Sequence, residues 1–286
     1  MAKLGGVKKG TGSGGVRKGG AAAIEAIDRL RKEGVKWVSL QFVDLIGGLQ
    51  NITVPAHTID EDSFLAGIGK LDGSSIKGFK AIEESDMVMK PDPSTLVILP
   101  WYGEQDKTAR FFVDVYEGGG IERFTRDSRA IAQRAEEFAA KSGYDTTYWG
   151  PELEFFVFDG VRLLPTPDAV RNPWAGCGYE IISNEAPWAH GDGKNYPIRF
   201  KEGYYPAPPQ DTLMEFRNEA CRLMEDVFGI ELDAHHHEVA TAGQCEINMK
   251  YDKLANIGDK VITYKYVLKM VAAKHNKLVT FMPKPI

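Results

Sequence analysis

Asp233-Ala-His-His-His-Glu-Val-Ala-Thr-Ala-Gly-Gln-Cys-Glu246 sets three histidines among the carboxylates of Asp233, Glu238 and Glu246, with no periodic apolar face. So dense a set of ligand-type side chains is costly to bury unless the charges are paired or hold a cation. On an extended backbone His236 and Glu238 share one face while His235 and His237 take the other. Gly243 supplies a turn, and Glu246 follows on the returning strand. A second acidic pair stands in Gly150-Pro-Glu-Leu-Glu-Phe-Phe-Val-Phe158. On a strand its Glu152 and Glu154 point the same way, and two such carboxylates resist joint ionisation unless a cation lies between them. The expectation is that the two stretches meet around a divalent metal.

Spacing alone leaves alternatives open. Glu152 and Glu154 equally suit a strand edge facing solvent or basic partners, and the histidines suit a hydrogen-bonded core. The histidines invite zinc, but four glutamates without HxxxH or HExxH spacing favour magnesium or manganese, hard ions that prefer oxygen ligands.

Around this centre the chain reads as α+β. Residues 1–20 are rich in Gly and Lys and read as a flexible tail, with no phosphate loop in them. From Ala21 a helix carries Ala23, Ile24, Ile27 and Leu30 on one face and stops at Gly34. Val35–Val43 and Leu49–Val54 form a hairpin whose turn begins at Asp44, by itself an ordinary turn-capping aspartate. Residues 67–82 read as loop, and Leu96–Leu99 and Phe111–Val115 as short strands. Gly118-Gly-Gly120 marks a boundary, giving a first domain over 21–118 and a second over 119–286.

The second domain opens on a helix near Asp127 with Ile131, Ala135, Phe138 and Ala139 at helical spacing. A long polar stretch from Pro165 to Pro209 has the length and composition of a functional loop or lid. Thr212-Leu-Met-Glu215 reads as a capping box starting a helix, and a last helix runs from about Asp259 to Asn276.

The formal net charge of −5 and the lack of a basic face beyond the tail argue against a nucleic-acid partner. No apolar run is long enough for a membrane helix, and no apolar signal core opens the chain. Three cysteines, Cys177, Cys221 and Cys245, without CxxC spacing fit packing residues in a reducing cytoplasm.

Several motifs in one order resemble class I glutamine synthetase: Phe42-Val-Asp-Leu-Ile-Gly47, Lys70-Leu-Asp-Gly-Ser-Ser-Ile-Lys-Gly-Phe79, Gly150-Pro-Glu-Leu-Glu-Phe-Phe156, Glu202-Gly-Tyr-Tyr-Pro-Ala-Pro-Pro209, the opening stretch, and Thr280-Phe-Met-Pro-Lys-Pro285. The resemblance covers about residues 21–286. It implies a β-grasp domain followed by a catalytic domain of curved antiparallel sheet with flanking helices, and a dodecamer with sites shared between neighbouring subunits. It implies ligation of ammonia to L-glutamate with ATP through γ-glutamyl phosphate, with two or more Mg2+ or Mn2+ ions per site.

Residue by residue, Glu154, Glu238 and Glu246 match ligands of one metal and Glu152 a ligand of the other. Asp233 and Tyr251 match nucleotide contacts, with Asp standing where the family usually has Glu. Asp44, reaching in from a neighbouring subunit, matches the aspartate that binds ammonium and helps deprotonate it, with Tyr204 nearby, and the histidines are left as shaping residues. Family members continue into a metal histidine and most of the glutamate site, so the expectation is an N-terminal portion or a truncated product. A ligase for a larger amine and a non-catalytic subunit are the alternatives.

Overall fold

The computed structural model describes residues 18–165, 177–189 and 195–286. Helix α1 (Lys18–Lys32) begins within the stretch expected as tail, and the rest of that tail lies outside the described residues. Gly34, at φ 67°, ends the turn after it in a left-handed conformation that costs glycine little. Strands β1 (Trp37–Val43) and β2 (Leu49–Pro55) form the expected hairpin, followed by the short helix α2 (Glu61–Leu65).

Two strands went unread in the sequence: β3 (Ile68–Asp72), inside the supposed loop, and β4 (Asp86–Pro91). Their pairing is interrupted by a bulge, which breaks the simple period-two signal. The Asp72 turn is as expected, its carboxylate accepting from Ser74 N at 2.9 Å. The later strands are β5 (Val97–Ile98), shorter than expected, and β6 (Thr108–Glu117), longer. The sheet runs β2-β1-β6-β4-β3 with β5 also on β6, and β1 lies parallel to β6.

Alternate residues Val38, Leu40 and Phe42 of β1 face Ala26, Ile27 and Leu30 of α1 across a core completed by Phe111, Val113 and Met89. Each such side chain, fully buried, contributes about 1.5–3 kcal/mol. This is the helix-over-sheet arrangement of a β-grasp. The other face is covered too: Ser39 and Gln41, which alternate with the core residues of β1, are buried at 4% and 3% exposure.

Helix α3 (Ser128–Lys141) is capped by Asp127, whose side chain accepts from Arg129 N. Its expected apolar face is not its buried one: Ile131 and Phe138 are exposed, and Ala130 packs inward. Arg129 explains the rotation. It reaches Asp92 (2.8 Å) and Asp114 of the first sheet and Asp259 (2.8 Å) further along the chain, so that side of the helix is drawn inward by ion pairs.

The remaining strands are β7 (Tyr148–Trp149), β8 (Glu154–Phe158), β9 (Gly160–Pro165), β10 (Cys177–Ile182), β11 (Leu232–His237), β12 (Gln244–Met249), β13 (Asp252–Lys253) and β14 (Leu278–Thr280). Helices α4 (Met214–Asp226) and α5 (Leu254–Lys274) complete the chain. The second sheet is antiparallel in the order β11-β12-β8-β14, while β9 pairs β10 and β7 pairs β13. The supposed structureless stretch from Pro165 thus contains a hairpin strand, although residues 166–176 and 190–194 lie outside the described residues.

Phe155 and Val157 pack beneath α4 and α5, while Phe156 and Phe158 face the other way, against Ala186 and Trp188. Helix α5 starts at Leu254, five residues before its expected start. The capping box at Thr212 is not formed: Leu213 occupies the cap without a side-chain bond. Thr212 instead gives both its backbone N–H (2.8 Å) and its hydroxyl (2.7 Å) to Glu185. Among the described residues no helix is long and apolar enough to cross a membrane.

Candidate metal centre and active site

The register of the second sheet decides the site. His236 of β11 lies opposite Glu246 of β12, and Glu246 opposite Glu154 of β8. Three ligand-type side chains therefore form one row across three strands, with cross-strand Cβ atoms about 4.5–5.5 Å apart. Glu238, one residue past β11, and Glu152, two residues ahead of β8, flank the row. Ligand atoms of His236, Glu238 and Glu246 all lie within 4.8 Å of one another. The imidazole stands 3.3 Å from Glu238 through Nδ1 and 3.5 Å from Glu246 through Nε2.

Burial raises the pKa of Glu246; His236 opposes the rise, while Glu238, Glu152 and Glu154 add to it. The three other expected acids thus all act on Glu246, and crowding of this kind favours a bound cation. The donor set, four carboxylates with one imidazole, fits a hard divalent ion better than zinc.

The support around the row is specific. Gln244 donates to Glu154 at 2.7 Å and accepts from Ala240 N at 2.8 Å, tying β8 to the turn after Glu238. The hydroxyl of Tyr264 on α5 donates to the carbonyl of Leu153 at 3.1 Å, between Glu152 and Glu154. Glu152 itself stands just ahead of β8, not within it as expected. At Gly243, φ is 91° and a Cβ would fall 2.5 Å from the carbonyl of Val157, so only glycine fits there.

The opposite face of the strands has other work. His235 accepts at Nδ1 from Arg217 Nε (3.1 Å), and Arg217 also pairs with Asp211 and reaches Cys245 Sγ (3.3 Å). Burial, then the neighbouring guanidinium, lowers the pKa of His235. His237 meets Glu185 at 2.9 Å. Burial alone would lower its pKa, but Glu185 and two backbone carbonyls outweigh that and raise it. Cys245, fully buried, has its thiol pushed up to about 12, in keeping with a packing role.

The other expected residues divide. Tyr204 joins the row: its ring stacks on Tyr205 (centroids 3.9 Å apart) and meets His236 edge-on at 5.8 Å. The hydrogen bond with Tyr205 leads the effects that push its hydroxyl pKa up to about 12. Asp233 occupies the extra position of a bulge between β11 and β12 and is exposed. Tyr251 packs edge-on against Tyr148 at 5.4 Å. Asp44 behaves locally as a turn cap: Ile46 N (3.0 Å), Gly48 N (2.7 Å) and Gln50 Nε2 (2.8 Å) all donate to its carboxylate. The residue undervalued from sequence is His236. Its shared face with Glu238 was legible, yet it was set aside with the other histidines.

Similarity to known proteins agrees with this layout. The family model of the glutamine synthetase beta-Grasp domain matches residues 34–118, and that of the catalytic domain residues 125–286. Glutamine synthetase of Sulfolobus acidocaldarius is 51% identical over 261 residues, 91% of this chain and 53% of that protein. That of Aquifex aeolicus is 44% identical over 263 residues, 91% and 54% respectively.

Among solved structures, the cryo-EM glutamine synthetase of Plasmodium falciparum is similar with a TM-score of 0.81 at 25% identity, over 92% of this chain and 51% of that one. A GmaS/ADP complex is similar with a TM-score of 0.68 at 25% identity, over 91% and 52%. The chain spans about half the length of the curated relatives it matches. Two sheets matched in order, the second bearing the acidic row, lead to one conclusion: the chain belongs to the glutamine synthetase family.

Proposed function

We propose that this chain contributes to a cation-dependent phosphoryl-transfer site that joins ammonia to the γ-carboxylate of L-glutamate using ATP. The observation that carries the reading is the row His236–Glu246–Glu154 on one face of one sheet, with Glu238 just past β11 and Glu152 just ahead of β8. Glu154, Glu238 and Glu246 would hold one Mg2+ or Mn2+ ion and Glu152 would contribute to a second. When bound, such ions neutralise the charge spread over the oxygens of the transferring phosphoryl group.

The chain's own residues do the rest. Asp233 and Tyr251 border the nucleotide, in line with the ADP named for the GmaS complex. The γ-carboxylate oxygen of glutamate attacks the terminal phosphorus, the bond to ADP breaks, and γ-glutamyl phosphate forms. Asp44 of a neighbouring subunit takes a proton from ammonium. Its Oδ2 accepts only from Gln50 within its own hairpin, which leaves a lone pair to do so. The freed ammonia nitrogen then attacks the carbonyl carbon, the carbon–oxygen bond to phosphate breaks, and phosphate leaves with the proton the new amide nitrogen sheds. Tyr204, upright against His236, closes the ammonium side. The assembly we infer is a homododecamer in the cytoplasm, the three free cysteines suiting a reducing compartment.

Two measurements test this reading. Mn2+ binding followed by electron paramagnetic resonance should weaken by about tenfold or more in Glu154→Ala; unchanged affinity removes Glu154 from the ligand set. ADP release should depend on both glutamate and ammonium, with larger amines run in parallel. Release that ignores ammonium overturns the ammonia ligase.

A further inference from the structure

The buried pair His237–Glu185 serves no step of the proposed reaction, yet it touches the two turns beside Tyr204 and Glu238 and the start of α4. The His237 side chain and the Glu185 side chain are essentially inaccessible, at 0% and 2% exposure. Nδ1 lies 2.7 Å from the carbonyl of Gly203 and 2.7 Å from that of Glu238. Carbonyls only accept, so Nδ1 carries a hydrogen shared between them. Nε2 faces the Glu185 carboxylate at 2.9 Å. The other oxygen of Glu185 takes both donors of Thr212, just ahead of α4.

The two turns joined through His237 are pressed together. Gly203 N donates to Val239 O at 3.1 Å, and a Cβ on Gly203 would fall 2.7 Å from Glu238 O and 2.9 Å from Ala240 O. One turn leads into Tyr204; the other begins at the candidate ligand Glu238.

We propose that His237, held by Glu185, is a positioning residue that sets the Glu238 turn against the Gly203–Tyr204 turn, so that the acidic row and its tyrosine are fixed to each other before any ligand arrives. Glu185 fixes the ring, the ring fixes the two carbonyls, and the carbonyls fix the side chains beside them. Supports of this kind beneath a metal ligand change affinity by about 10–100-fold when removed. The inference rests on the acidic row being a cation site.

The test measures Mn2+ affinity together with amide hydrogen exchange at residues 203–205 and 238–240 in the intact chain. His237→Ala should weaken Mn2+ binding by about tenfold or more and speed exchange at both turns while distant strand β6 keeps its protection. His237→Asn retains a donor near Nδ1 and should keep most of the protection and affinity. Glu185→Gln should resemble wild type, because a neutral imidazole accepting from the amide preserves the same contacts; Glu185→Ala should resemble His237→Ala.

Wild-type affinity and wild-type exchange in His237→Ala overturn the proposal. Equal loss in His237→Asn and His237→Ala, with β6 exposed as well, also overturns it, since that is a packing defect. Absence of Mn2+ binding in the wild-type chain counts against the cation site instead, and the exchange data still decide whether His237 holds the two turns.

Discussion

Arg217 offers the sharpest energetic test. It is 1% exposed and is among the largest fully buried side chains of the chain. Its guanidinium faces the Asp211 carboxylate in a two-bond arrangement, one bond measuring 3.1 Å, while Nε and Nη1 also reach His235 and Cys245. Replacement by Met keeps the volume and strands the Asp211 charge in a low-dielectric interior. Breaking one side of such a pair costs about 3–5 kcal/mol, well above the roughly 0–1 kcal/mol of an exposed pair. At about 2–4 °C per kcal/mol for a chain of this size, the melting temperature falls by about 6–20 °C.

Urea unfolding followed by circular dichroism and tryptophan fluorescence measures the loss. The double variant Arg217→Met/Asp211→Asn should recover at least half of it, because the stranded charge is gone and the bond from Leu213 N can persist. Burial pushes the Asp211 carboxyl upward, but Arg217 outweighs this and holds it below its ordinary 3.8. A depressed carboxylate stabilises the fold above its unfolded value, and that contribution is lost as pH falls through the folded value. Asparagine should remove this part of the acid-side slope. A loss below about 1 kcal/mol in Arg217→Met, or no recovery in the double variant, refutes the buried-pair argument.

Three further outcomes are expected. At pH 8 one thiol, exposed Cys177, should react promptly with a disulfide reagent, since burial pushes both Cys221 and Cys245 up to about 12; three fast thiols in the native chain would contradict those environments. Gly243→Ala should destabilise by about 1–3 kcal/mol through strain at its positive φ and weaken Mn2+ binding, and a neutral effect in calorimetry would contradict the tight turn. Subunits carrying Asp44→Ala mixed with subunits carrying Glu154→Ala should regain activity that neither has alone, whereas sites built within single subunits would leave the mixture inactive.

The parts of the fold legible in the sequence were those written in local period and turn chemistry. The β1–β2 hairpin announced itself through Val38, Leu40 and Phe42 with Asp44 at the turn, and face-sharing paired Glu152 with Glu154 and His236 with Glu238, while the grouping of Glu154, Glu238 and Glu246 came from the family resemblance. What escaped depended on partners remote in sequence. Thr212 had the pattern of a helix cap, but Glu185, 27 residues upstream, captures its hydroxyl. The meeting of His237 with Glu185 spans 52 residues and has no local signature. Helix α3 shows the same limit: its apolar spacing pointed to Ile131 and Phe138, while ion pairs from Arg129 decided which side turned inward. Strand β4 was hidden because its buried residues, Met87, Met89 and Pro91, are few and sit beside a bulged partner.

Arg129 has a consequence for how the molecule transmits force. Its guanidinium fastens Asp92 and Asp114 of the first sheet to Asp259 on α5, and the adjacent Ser128 donates to the carbonyl of Asp44 at 3.4 Å. Burial opposes the charge on Arg129, yet the surrounding aspartates raise its pKa, so the joint stays charged at every physiological pH. The hairpin that presents Asp44 is therefore mounted on the same rigid frame as α5, whose Tyr264 steadies the backbone between Glu152 and Glu154. The chain acts as a gauge block: Arg129, with Arg110 bonded to Thr263, is one of the joints that hold the span from its Asp44 tip to its own acidic row. In the ring we propose, with sites shared between neighbours, a displacement at one site would be handed to the next as a movement of the whole block.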